Sequence, residues 1–422
     1  MKFFRFALMW TFFVSPLAVA ASLPMTLSEA RARVLVVAPT LAAARAKIRA
    51  LRAEAHYKTT LPDPILGFGP QNLDSTQPTL SHDNSSSFVV SLNQNFPPFG
   101  KLHLARKGLD ENVQSARMRL QDERARLIAT LTVDFCDYYY GKQALITLRR
   151  NRHLAHVIAR SALFRYQSGH GTLAGLLQAR YAVSGIDDAI ARLRGALAVR
   201  RATLMQLLSV RHFETATSKP DIPHPPPFVL LLKGLTLTPR FAADEARVRA
   251  ARAFLRASRR DLAPSFAIGA SYGFRTAPSY PGGPKAPNQI SAEISMSLPI
   301  FPGQREDQRI DRRVARLDGA RDQAAALQLS LRQAALAARA ALQTADRRLR
   351  ILSDRRLPEA RTAFRAAQAA FASGRMSLVR TLRYARDVRS TQLAAWQLRS
   401  ERAKALATLN YLGTHAETSY AR

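Results

Sequence analysis

Hydrophobic and polar residues largely alternate in a short stretch that leads into a very long helical pattern. In the stretch from Phe88 to Phe96, Phe88, Val90 and Leu92 fall on one face and Val89, Ser91 and Asn93 on the other, which is typical of a strand with two unlike faces. A Pro-Pro-Phe-Gly corner follows, and the proline-free residues up to Gly169 place apolar side chains mostly three or four apart. At 1.5 Å per residue this run predicts a helix of roughly 100 Å, far longer than a compact domain needs.

The same order of patterns occurs a second time. Residues Ile290 to Leu298 alternate more strictly, turn before Gly303, and lead into another proline-free run that reaches Leu357. An internal twofold repeat is therefore predicted. Its matching landmarks, separated by 200 to 205 residues, are Pro39 with Pro239, Pro64 with Pro264, Gly100 with Gly303, and Gly169 with Gly374.

The second long run has a strict four-three spacing of mostly apolar or small residues. A sustained heptad predicts coiled-coil packing, and its many alanines predict close approach of neighbouring helices. The predicted seam is Ile310, Val314, Leu317, Arg321, Ala324, Gln328, Leu331, Ala335, Ala338, Leu342, Ala345, Leu349 and Leu352.

Shorter elements complete the two halves. Thr26 with Glu29 predicts a capping box, and Thr172 predicts an N-cap. The helix that follows each glycine turn runs back along the preceding long helix and is shorter than it. We therefore expect the helix at 241–261 to stack end to end with the helix at 173–208, and the N-terminal helix to stack end to end with the C-terminal one. The predicted short elements are helices at 26–58 (broken by Pro39), 173–208, 241–261 and from the second turn to about Leu412, and strands at 65–73 and 265–274.

The chain divides into four predicted parts. Residues 1–21 combine a basic head, an apolar run and a small-residue cleavage site, which predicts a secretory signal peptide. Residues 22–218 form the first repeat, residues 219–239 a proline-rich linker, and residues 240–422 the second repeat. No later segment has 18 consecutive apolar residues, so no membrane helix is predicted.

The four predicted strands suit a membrane barrel. Strands of about 9 to 11 residues with one apolar face have the length and pattern of transmembrane β-strands. Four strands cannot close a barrel, and lipid does not tolerate an open edge, so several chains would share one barrel. The alternative is a soluble protein whose hairpins pack on a coiled coil.

Charge and rare residues narrow the functional classes. The formal net charge of +33 raises nucleic-acid binding as a hypothesis. We nevertheless expect no nucleic-acid partner, because the chain is predicted to be exported and has no nucleic-acid motif. The arginines indicate solvated helix faces, or contacts with anionic lipid and acidic partners. Cys136 is the sole cysteine, so an internal disulfide is excluded.

Candidate chemistry is sparse. His153 and His156 lack further metal ligands nearby and are interpreted as surface or interface residues. Asp134 and Asp137 have no nucleophile or cleft to serve, and pairing with arginines across helices explains these two carboxylates. We predict no catalytic residue, no cofactor and no metal, and expect that the chain is not an enzyme.

These features together resemble the TolC-type family of outer-membrane efflux factors. The resemblance implies a mainly α fold with a β-barrel portion. Long antiparallel helices would form a periplasmic α-barrel tunnel, and four strands from each chain of a homotrimer would form a 12-stranded transmembrane barrel. The residues that carry the likeness are Leu61-Pro-Asp-Pro64, Phe96-Pro-Pro-Phe-Gly-Lys101, Ser297-Leu-Pro-Ile-Phe301 and the two glycine turns, the first two most similar to the heavy-metal efflux branch.

The resemblance also implies a function and partners. Such a trimer is a passive conduit from periplasm to exterior in a tripartite efflux or type I secretion system. A periplasmic adaptor (membrane fusion protein) and an inner-membrane pump open it, and metal ions or small molecules are candidate cargo. The alternative is a periplasmic coiled-coil adaptor or structural protein, which would lack two strand hairpins before the long helices.

Two sets of candidate site residues follow from the resemblance. Arg380 and Arg383 stand where family members often carry acidic residues that line the aperture, and a basic aperture should disfavour cations. Alternatively, both arginines form salt bridges at a helix interface. The helix turns match the periplasmic tips against which adaptor hairpins pack, although ordinary solvent-exposed loops are the alternative. The implied adaptor contact is Gly169, Thr172, Leu173, Gly374, Arg375, Ser377 and Leu378.

Overall fold

The computed structural model describes residues 24–414, so the predicted signal peptide at residues 1–21 lies outside the described part. Nine α-helices and four β-strands occur within it, in two similar sets. The helices are α1 (Leu27–Val37), α2 (Pro39–Tyr57), α3 (Lys101–Gln167), α4 (Leu173–Leu208), α5 (Phe228–Gly234), α6 (Pro239–Arg259), α7 (Pro302–Ile351), α8 (Leu357–Ala372) and α9 (Leu378–Gly413). The strands are β1 (Ile65–Gln71), β2 (Ser87–Phe96), β3 (Ser265–Arg275) and β4 (Gln289–Ser297).

The first helices begin where the sequence predicts. The Thr26 backbone nitrogen donates to Glu29 Oε2 at 2.8 Å, and the Glu29 nitrogen donates to Thr26 Oγ1 at 3.3 Å, which confirms the capping box. Pro39 starts α2 rather than extending α1, because proline has no N–H for the preceding turn. The 67 residues of α3 are one unbroken helix, about 100 Å long at 1.5 Å per residue.

The second long helix is interrupted. After Ile351 the chain makes a π-helical turn, Leu352–Arg356, and continues as α8. Pro358 lies in the first turn of α8 and cannot donate to a carbonyl of the turn before it, which accounts for the wider turn. The corresponding position of the first repeat is His153, and α3 remains regular there.

The predicted α7 seam is buried or half-buried at every position except Arg321 and Gln328, which are exposed. Leu331, Ala335 and Ala338 lie in the core, but Gln328 is exposed and Leu327 is buried in its place. The heptad register is kept beyond Arg321 and Gln328, because Ala345 and Leu352 are buried again. Within residues 24–414, no helix combines the length and apolar composition needed to cross a membrane.

The strands form one antiparallel sheet in the order β1-β2-β3-β4. Phe266 stands opposite Phe96 and Met296, and Tyr272 stands opposite Val90 and Ile290. Because residues directly opposite share a face, one face is apolar across the sheet and the other carries mainly serine, asparagine and glycine. The described residues place no strand beside the outer edge of β1 or of β4.

The prediction of which helices stack end to end is wrong. Arg33 of α1 donates to the carbonyl of Leu208 at 2.9 Å, so α1 and α2 continue α4. Phe241 at the start of α6 lies in one hydrophobic cluster with Leu409 and Leu412, so α6 continues α9. Helix lengths allow either pairing, whereas these side-chain contacts allow one.

Residues 209–235 cross the helices at mid-length, and we call them the strap. Phe213 packs on Phe135 of α3 with ring centroids 5.9 Å apart, and Asn410 of α9 donates to the Pro223 carbonyl at 2.8 Å. The linker predicted at 219–239 is partly helical, because Leu231 is buried beside Leu412 and thereby stabilises α5.

A buried carboxylate, Asp134, and a half-buried one, Asp137, join three helices near the strap. Arg200 of α4 lies 2.8 Å from Asp134 of α3, and Lys404 of α9 lies 3.0 Å from Asp137, as expected from pairing across helices. Burial raises the pKa of Asp134 above its ordinary value, although Arg200 opposes the change. These contacts hold α4 and α9 against α3.

Candidate functional site

The turn after α3 is a Schellman motif. The His170 nitrogen donates to the Arg165 carbonyl at 2.9 Å, and the Gly169 nitrogen donates to the Tyr166 carbonyl at 3.2 Å. Gly169 has a φ of 75°, a left-handed conformation that costs glycine little. The glycine therefore ends α3 sharply.

The turn after α8 repeats this geometry. The Arg375 nitrogen donates to the Ala370 carbonyl at 2.8 Å, and the Gly374 nitrogen donates to the Phe371 carbonyl at 3.1 Å. Gly374 also has a φ of 75°. The two turns are thus the same backbone structure built from different side chains.

The helices that follow the turns begin differently. Thr172 Oγ1 accepts a hydrogen bond from the Gly175 nitrogen at 3.1 Å, which confirms the predicted N-cap of α4. Ser377 occupies the equivalent position before α9, but its side chain makes no capping hydrogen bond. The first amides of α9 therefore lack a side-chain acceptor that α4 has.

The two turns are held together directly. The Arg165 guanidinium carbon lies 4.3 Å from the centroid of the Phe371 ring, and its Nη2 donates to the Ala372 carbonyl at 3.4 Å. Leu378 of α9 packs in a cluster with Ala162 and Leu176 of the first repeat. The turns consequently present one continuous surface at this end of the helices.

A cleft of about 650 Å³ lies between the turns, and we call it the tip cleft. Six of the seven predicted adaptor-contact residues line it, whereas Leu173 lies beside it with 52% of its surface exposed. Leu378 has a structural role as well, because its side chain packs on the first repeat. The six are Gly169, Thr172, Gly374, Arg375, Ser377 and Leu378.

The tip cleft is basic. Its lining includes Arg165, His170 and Arg375 and contains no aspartate or glutamate. Arg375 Nε donates to Ser373 Oγ at 3.1 Å, so this guanidinium is held close to its own turn. Carbonyl and carboxylate oxygens are the complementary groups for such a surface.

Arg380 and Arg383 lie in the first two turns of α9, and both are exposed. Within residues 24–414 neither guanidinium lies within 4.0 Å of a carboxylate oxygen. The described part of a single chain therefore contains no salt bridge to either arginine, and both roles considered for them stay predictions.

The repeat seen in the structure coincides with a repeated family match. The outer membrane efflux protein family model matches residues 30–210 and matches again at residues 233–413. The chain belongs to the outer membrane efflux protein family. It is therefore a subunit of an efflux channel in the outer membrane, with its helices in the periplasm, and not an enzyme. Family members are homotrimers that work with adaptors and inner-membrane pumps.

Crystal structures of outer-membrane channels share the fold. CusC aligns with a TM-score of 0.76 and 17% identity over 93% of this chain and 92% of CusC. VceC of Vibrio cholerae gives 0.75 and 16% over 92% and 96%. The open state of MtrE from Neisseria gonorrhoeae gives 0.73 and 18% over 92% and 88%. No curated protein matches the sequence.

Proposed function

We propose that three copies of this chain close one β-barrel by pairing the free edge of β1 in one copy with that of β4 in the next. The apolar face of the sheet supports this arrangement, since Phe68 is 76% exposed and Ile294 is 76% exposed in the single chain. Lipid would cover that face, and pairing at both edges would satisfy their backbone groups. The polar face would then line the lumen.

The tip cleft is the docking site for the periplasmic adaptor. The two glycines leave backbone uncovered at the turns, and Arg165 with Leu378 fixes the turns relative to each other. Because the lining is basic and has no acidic residue, the adaptor contacts it through carbonyl or carboxylate oxygens.

The periplasmic aperture is basic and favours anions over cations. The observation that carries this proposal is the exposure of Arg380 and Arg383 without a carboxylate partner in the described chain. Three copies would bring six guanidinium groups to one opening, and rings of one charge select ions by sign. Anionic or neutral small molecules are accordingly better cargo than bare metal ions.

Ion selectivity in planar bilayers tests the aperture. The wild-type channel should prefer anions, and Arg380→Asp with Arg383→Asp should reverse that preference. A matched control is Arg361→Asp with Arg365→Asp, which makes the same charge change at exposed positions of α8.

Selectivity that is unchanged in the Arg380 and Arg383 variant, or that reverses equally in the control, contradicts the basic aperture while leaving the channel intact. Failure of the wild-type protein to form conducting trimers contradicts the shared barrel.

A further inference from the structure

A second groove lies between α3 and α4 beside the strap, far from the tip cleft. Its volume is about 670 Å³. Its floor is apolar and includes Leu145, Leu197 and Met205, and the buried ring of Tyr138 closes one end. We call it the strap groove.

The walls of the strap groove are strongly basic. The lining contains no aspartate or glutamate. Arg201 Nε donates to the Phe213 carbonyl at 3.0 Å, so the strap holds this guanidinium at the groove. None of the basic side chains is ion-paired with a carboxylate of residues 24–414. They are Lys142, Arg149, Arg194, Arg201, Arg211 and His212.

Some neighbouring arginines on the same two helices are paired with carboxylates, unlike the arginines of the groove. Arg152 lies 2.5 Å from Asp187, and Arg192 lies 2.6 Å from Asp188. Arg200, next to Arg201, pairs with a buried carboxylate of α3. The chain thus supplies acids along these helices but none inside the groove, where like charges repel one another.

The spacing of the basic side chains indicates what kind of acidic ligand would fit the groove. Lys142 and Arg149 are seven residues apart on α3, and Arg194 and Arg201 are seven apart on α4. Seven residues correspond to about 10.5 Å, or two helical turns, along each wall. A helix with carboxylates at heptad spacing on both sides of an apolar ridge would match both walls and the floor.

We propose that the strap groove docks an acidic amphipathic helix of a periplasmic partner protein. Its apolar ridge lies on Leu145 and Leu197, and its carboxylates face the cations of α3 and α4. This docking site is separate from the tip cleft and the aperture. The proposal rests only on the periplasmic location of the helices. It can therefore be tested independently of the proposed roles of the tip cleft and the aperture.

A synthetic helix provides the probe. The peptide has three heptads with leucine at positions a and d and glutamate at e and g, and it carries a fluorescent label. Binding to the full-length channel in lipid nanodiscs is measured by fluorescence anisotropy, with a scrambled peptide of the same composition for comparison. We expect saturable binding of the patterned peptide that weakens with added salt.

Two double variants with the same change in charge test where on the channel the peptide binds. Lys142→Glu with Arg194→Glu should weaken binding by about tenfold or more, as expected for two reversed charge pairs. Arg160→Glu with Arg180→Glu, at exposed positions of the same helices outside the groove, should leave binding within about twofold. A peptide with lysine at e and g should bind the Lys142 and Arg194 variant better than wild type.

Several outcomes overturn the proposal. They are the absence of binding to wild type, equal weakening in both variants, equal binding of the scrambled peptide, or displacement by citrate at the same carboxylate concentration. The last result would assign the groove to free anions. Bilayer conductance of each variant verifies that its channel is folded.

Discussion

The two repeats contain the same elements but stabilise them by different means. In the first repeat α3 is continuous and packs large side chains, with Leu131 and Phe135 almost fully buried. In the second repeat α7 gives way to a π-helical turn, and buried alanines such as Ala335 allow neighbouring helices to approach closely. The comparison indicates that large apolar side chains stabilise the first repeat, whereas close approach of helices stabilises the second.

Truncation in the first repeat should have the largest effect. Phe135→Ala removes a ring that packs on Phe213 and Tyr138, and should lower the free energy of unfolding by about 3 to 5 kcal/mol. Denaturant titration followed by circular dichroism measures the change. Phe135→Leu, which keeps an apolar side chain, is the control and should lose clearly less. If both variants lose a similar free energy of unfolding, the volume of the side chain at position 135 does not determine stability.

The stability of the second repeat should be most sensitive to enlargement of a small buried side chain. Ala335 is fully buried in a cluster with Phe241 and Leu409, so Ala335→Leu should cost about 1 to 3 kcal/mol through overpacking. Ala337→Leu, at an exposed position of the same helix, is the control in detergent-solubilised monomer. An Ala335→Leu protein as stable as wild type would show that α7 does not depend on close approach.

The smallest difference should appear between the two helix starts. Thr172→Ala removes a capping acceptor and should destabilise the start of α4 by about 1 kcal/mol, whereas Ser377→Ala should cost only about a few tenths. Hydrogen exchange of the first-turn amides, including that of Gly175, reports both effects. Equal acceleration of exchange in α4 and α9 would contradict the difference between the turns.

Local patterns predicted most of the elements and the turns. Alternation located the four strands, and Gly169 and Gly374 marked the turns because a positive φ is a property of the glycine itself. In these places the backbone conformation depends on neighbours in sequence. The adaptor contact, in contrast, came from the family resemblance and stays a prediction.

Long-range contacts were not predictable in this way. The stacking of α6 on α9 depends on where Phe241 packs, and the contact between Arg165 and Phe371 joins residues 206 apart in sequence. The heptad pattern placed Gln328 in the seam because spacing alone could not reveal that Leu327 is the buried residue there. The strap groove had no sequence signal, since its cations are spread over two helices and the strap.

The strap gives the helices a fixed fulcrum. It is bonded to α3 at Tyr139, whose hydroxyl donates to the Thr217 carbonyl, and to α9 at Asn410. From Tyr139 to the end of α3 at Gln167 the helix extends about 42 Å beyond that point as a lever arm. A tilt of about 10° at the fulcrum would therefore carry the tip about 7 Å sideways without breaking a helical hydrogen bond.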